Sequence, residues 1–143
     1  MYGDTAVGRR RVAQLREQGG DIRALASRLV AQAEAVPWHG RAAESMRGRI
    51  KDRANHLRAA AAQHESAADS LATHLGEVDA LKDAIETCSH KAATLVGDAR
   101  TRASQAEGHD GPVPQDDADA ALLAFDPPPA GHQDWLTVDL PGL

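Results

Sequence analysis

The sequence predicts an all-α protein, an antiparallel helical hairpin with a long second helix, followed by a largely extended acidic C-terminal tail. Three observations carry this. Apolar and small residues recur every seven positions along two long stretches. One turn signal, Pro37-Trp38-His39-Gly40, separates them. Aromatics are only 3% of the 143 residues, while alanine helps hold the hydrophobic fraction at 42%, so thin helix-on-helix packing suits the chain better than a thick core of large side chains. The expected division is a helical hairpin over 1–107 and an acidic, Pro-rich tail over 108–143.

The first helix is expected from about Thr5 to Ala35. Val12, Gly19, Ala26 and Ala33 form a series of small residues, and Leu15, Ile22, Leu29 and Val36 a series of large ones, the 3-4 spacing of a packed seam. Gly19-Gly20 allows two readings. Each glycine costs about 1 kcal/mol against alanine in a helix interior, so the helix could break there and restart with Asp21 as N-cap. Alternatively a partner helix comes close at Gly19, and the unslipped register through the pair favours this second reading.

The turn follows from local chemistry. Proline pushes the residue before it out of the α region, which ends the first helix near Ala35. Gly40 supplies the positive φ of a tight reversal. Trp38, the bulkiest side chain at the corner, is expected to pack between the two helices.

The second helix is expected over Arg41–Glu107, with no proline to interrupt it. One seam series holds Ala43, Ile50, Leu57, His64, Leu71, Val78 and Ile85, continuing through Ala92, Ala99 and Ala106. The other holds Met46, Arg53, Ala60, Ala67, His74, Leu81, Cys88, Leu95 and Arg102. At about 1.5 Å per residue this helix would run on the order of 100 Å against roughly 45 Å for the first, which can cover only its proximal half. The distal seam of Val78, Leu81, Ile85, Cys88 and Leu95 is therefore expected to be buried against another chain, or against a folded-back part of this one.

Gly108 to Pro114 has linker composition, 116–125 is a possible short helix capped by Asp116 or Asp117, and Pro127-Pro128-Pro129 imposes an extended segment. All 16 Lys and Arg lie before residue 103, and the tail from Asp110 onward carries seven of the 21 acids, hence its acidity. Disorder would account for the prolines and aspartates, but not for Phe125, Trp135, Leu136, Val138 and Leu140. These residue types anchor interfaces, and they are read as docking candidates for a partner protein. Folding back on the protein's own helices is the alternative.

Function classes fall away on composition. The helical region is nearly neutral, so Arg9-Arg10-Arg11 and the cluster from Arg47 to Arg58 read as solvated helix faces rather than a nucleic-acid surface. His56, His64, His74 and His90 are never three or four apart, so no helical metal motif exists. No phosphate loop or nucleophile elbow is present, and the lone Cys88 reads as a small seam residue. No enzymatic activity, cofactor or metal is expected. His64 and His74, falling in the seam, read as polar groups that set register, with a protonation switch that loosens the helix pair as the alternative. No apolar stretch is long enough to span a membrane, and Arg9-Arg10-Arg11 is not followed by the apolar region of a Sec or Tat signal.

Trp38-His39-Gly40 in the turn between two Ala-rich amphipathic helices resembles the motif of the WXG100 (ESX) family over roughly residues 1–80. The resemblance implies a hairpin that pairs into a four-helix bundle and serves type VII secretion. It implies a partner or accessory of a secretion substrate or toxin, either as a homo-oligomer or as a heterodimer with another helical hairpin. The interface candidates are then Leu15, Ile22, Leu29, Ile50, Leu57 and Leu71, with Val78, Leu81, Ile85 and Leu95 beyond them. The Ala- and Arg-rich composition fits an actinobacterial source. The family's Tyr-x-x-x-Asp/Glu export signal is missing: the single tyrosine, Tyr2, is followed four residues later by Ala6. A cytoplasmic protein is expected, exported only with a partner that supplies the signal. The other reading is a cytosolic coiled-coil scaffold or adaptor with the tail as a peptide ligand.

Overall fold

The computed structural model describes residues 4–111 and 116–143. Among them are α1 (Thr5–Ala35), α2 (Arg41–Glu107), α3 (Asp117–Leu123), a 3-10 helix over Gln133–Thr137, and no strand. The chain divides into two compact units, Met1–Val78 and Asp79–Leu143, and α2 contributes to both. Sequence composition placed a boundary after residue 107. The observed division lies earlier because the tail packs on the distal part of α2.

In the first unit, Asp4 caps α1 by accepting a hydrogen bond from the Ala6 amide at 3.1 Å. The helix runs through Gly19-Gly20 without a break. It ends where Pro37 requires, with Val36 in extended conformation at φ −68°, ψ 122°. Gly40 takes φ +103°, and its carbonyl accepts from the Glu44 amide at 3.1 Å to open α2.

One small residue per heptad builds the contact between the two helices. Thr5, Val12, Gly19, Ala26 and Ala33 are the buried residues of α1. On α2 the matching line is Ala54, Ala61 and Ala68, each 0% exposed. Gly19 is where the backbones meet: a Cβ built there would stand 3.3 Å from the Ala61 carbonyl oxygen and 3.2 Å from Glu65 Cγ. Small residues at the seam let two helices approach until backbone and Cβ atoms touch, so dispersion between the helices replaces the interlocking of large side chains.

This corrects the register of α2. Arg53, Ala67 and His74 are exposed, and the residues facing α1 are each one position further on for Arg53 and Ala67. Positions i+3 and i+4 lie on the same face of a helix, so Ile50, Leu57, His64 and Leu71 are compatible with either row. Only the partner helix decides between them.

In the second unit, the heptad row does follow the expected residues, with Ala92 and Ala99 fully buried. What covers them is the chain's own tail: Leu122, Trp135 and Leu140 complete the core, and Ile85, Cys88, Leu95, Val96 and Phe125 pack against it. Asp116 caps α3, accepting from the Ala118 amide at 3.3 Å. The Trp135 indole donates to the Pro129 carbonyl at 3.1 Å, and its ring meets Phe125 edge-on at 6.1 Å. Two short helices, of 7 and 5 residues, thus bring the tail's apolar residues onto α2, and the other described tail residues lie in neither helix. Most of the linker's Pro-rich part, residues 112–115, lies outside the described residues.

Candidate functional site

The first unit is amphipathic in a direction perpendicular to its own seam. Arg16 and Arg23, four positions after Val12 and Gly19, line one edge. There Arg23 grips Glu65 with two hydrogen bonds of 2.8 Å, and Arg16 reaches Asp69 at 3.1 Å. Glu65 stands in the same relation to Ala61 as Arg23 does to Gly19, as antiparallel packing requires. Residues three positions after the small line therefore share the opposite edge: Leu15, Ile22 and Leu29 from α1, and Leu57, His64 and Leu71 from α2, with Ile50 one heptad earlier. All seven are half-buried, so the hairpin covers one side of each and leaves the other side bare.

Electrostatics reinforces the division. The hydrogen bonds from Arg23 hold the Glu65 carboxyl below its ordinary range, and the same contact raises the guanidinium. The edge bearing this pair stays ionised, while the opposite edge carries no charge in its rows.

Trp38 does not pack between the helices. It is 61% exposed at the tip of the turn, flanked by exposed Pro37 and Gly40. The corner is closed instead by Arg47, whose guanidinium donates to three backbone carbonyls: Ala33 at 3.2 Å, Val36 at 2.7 Å and Trp38 at 2.8 Å. Two of these belong to the end of α1, where carbonyls lack intrahelical partners. A planar fork of donors suits the task, while the indole itself stands mostly exposed. Sequence reasoning missed Arg47, although a signal exists: it occupies the heptad position before Ala54, Ala61 and Ala68, opposite the last turn of α1.

The remaining candidates separate. Val78 is half-buried, and Leu81 is 52% exposed. Ile85 and Leu95 pack on the second unit's core, which this chain's own tail helps to form. Of the tail residues proposed to dock elsewhere, Trp135 and Leu140 are buried, Phe125 and Val138 pack against the same core, and Leu136 is 43% exposed. Arg102 fastens the tail with two bonds to Asp119, 3.0 and 2.7 Å long, which lower the Asp119 carboxyl from its ordinary range.

Among the described residues no three of His, Cys, Asp and Glu converge as a metal site would need. Among the described residues no helix is long and apolar enough to cross a membrane. No protein-family model, curated protein or solved structure matches this chain.

Proposed function

We propose that this protein acts by association, as a WXG100-like helical hairpin that is a partner or accessory of a type VII secretion substrate or toxin. The observation that carries this reading is the uncharged, half-buried double row of Leu15, Ile22, Leu29, Ile50, Leu57 and Leu71 along one edge of the hairpin, opposite an edge of ion pairs. A second helical hairpin laid on that edge completes the burial of these side chains, at about 25 cal/mol per Å² of apolar surface removed from water. The W-x-G turn supports the family assignment, and an exposed Trp38 ring is available for recognition by further components. Without the tyrosine signal, export depends on the partner.

Affinity capture from the native host with wild type and with an Ile22→Lys/Leu57→Lys variant tests the proposal. A second helical hairpin protein should accompany the wild type and be absent from the variant. Capture of the same partner by both would overturn the assignment of the face. A partner unrelated to secretion would favour the scaffold reading instead.

A further inference from the structure

His64 is the polar member of the otherwise aliphatic rows on the hairpin's uncharged edge, and its ring is committed in a specific way. Its Nδ1 lies 3.0 Å from the Ala60 carbonyl oxygen, one turn back on its own helix. A carbonyl only accepts, so Nδ1 carries the proton. In a neutral imidazole Nε2 is then an acceptor, and no described residue donates to it. The adjacent carboxylate, Glu65, is engaged by Arg23 on the other edge.

We propose that His64 selects the partner of this face: it takes a helix presenting a hydrogen-bond donor, a Ser or Thr hydroxyl or an Asn or Gln amide, to Nε2, and it disfavours a second copy of this chain. The proposal rests on the reading of this edge as the pairing surface. Covering the edge strips water from Nε2, and an acceptor buried without a donor costs affinity by a factor of about ten or more. The rows of a second copy bring no donor of their own, and its amides Gln18 and Gln32 lie one row further out on α1. Leu15, Ile22, Leu29, Ile50, Leu57 and Leu71 are aliphatic, and the other copy's His64 has its Nδ1 proton committed to Ala60. Two neutral rings in contact oppose two acceptors, and two protonated rings oppose two cations. A polar group on an apolar seam discriminates in this manner between partners that satisfy it and partners that do not.

Sedimentation equilibrium of the full chain tests this, with a second copy as the probe. His64→Leu should self-associate at least tenfold more tightly than wild type. A 1:1 mixture of wild type with chains carrying His64→Gln or Leu57→Gln, which bring an amide to the centre of the face, should form mixed pairs more tightly than wild type pairs with itself. Equal self-association of wild type and His64→Leu overturns the proposal, as does the absence of any gain in both mixtures. Adding Leu57→Lys to His64→Leu separates the two levels. If the double variant still associates, the apolar edge is not the pairing surface and the underlying reading fails. If Leu57→Lys abolishes association while His64→Leu has no effect, only the selective role of His64 is lost.

Discussion

Arg47 and Trp38 are joined through the backbone, not through the indole: the Arg47 Nη2 donates to the Trp38 carbonyl at 2.8 Å while the ring stands 61% exposed. The corner of the hairpin is therefore held by a side chain that sits on α2 and reads carbonyls. Replacing Arg47 with Lys removes the fork but keeps the charge. It should lower unfolding free energy by about 1–2 kcal/mol, since hydrogen bonds to charged groups contribute roughly 1.5–3 and this site is partly solvated. Urea denaturation followed by circular dichroism measures it.

The two tryptophans should respond oppositely to truncation. Trp38→Ala should change stability by less than about 0.5 kcal/mol, as an exposed substitution does. Trp135 is 5% exposed within the core of the second unit, so Trp135→Ala should cost about 3–5 kcal/mol of that unit's stability. Hydrogen exchange along 79–107 and 116–143 localises the loss. Matching losses in the two variants would contradict the placement of Trp38.

Adjacent glycines in α1 offer a cleaner contrast. A Cβ at Gly20 meets nothing within 4 Å, whereas one at Gly19 stands 3.3 Å from the Ala61 carbonyl oxygen. Gly20→Ala should stabilise by roughly 0.5–1 kcal/mol through helix propensity. Gly19→Ala should gain less than that, and Gly19→Leu should destabilise by about 1–3 kcal/mol because the helices must separate to admit it. Thermal unfolding of the three variants decides.

Acid should loosen the tail. The Arg102 hydrogen bonds hold the Asp119 carboxyl below its ordinary range, so the unfolded chain takes up this proton more readily than the folded one. The contribution is fully present above the ordinary Asp range and disappears as pH falls through the lower folded value. Protection of 117–123 from exchange should fall with acidification below the ordinary carboxylate range. An Asp119→Asn variant should start with lower protection and show a smaller pH dependence.

The sequence by itself determined both long helices to their ends, because proline before the turn, glycine after it and the absence of proline from 41–107 are local constraints on φ and ψ. It also marked the small-residue line of α1, Val12, Gly19, Ala26 and Ala33, because the large residues Leu15, Ile22 and Leu29 sit beside it at the 3-4 spacing of a seam, whereas the equally small series Ala6, Ala13 and Gly20 has Arg9, Arg16 and Arg23 at its own +3 positions. On α2 many alanines compete for the seam, and only contact with α1 selected Ala54, Ala61 and Ala68. The sequence likewise marked Phe125, Trp135, Leu136, Val138 and Leu140 as residues for contact with a partner or with this chain's own helices, and of these Leu136 stays 43% exposed. Where the others pack is a long-range choice, and the tertiary structure gave it to this chain's own Ala92 and Ala99. Arg47 and the Trp38 ring were decided at the same level. Which of two neighbouring side chains closes a corner depends on where the opposing carbonyls point, and that direction exists only once the two helices have met.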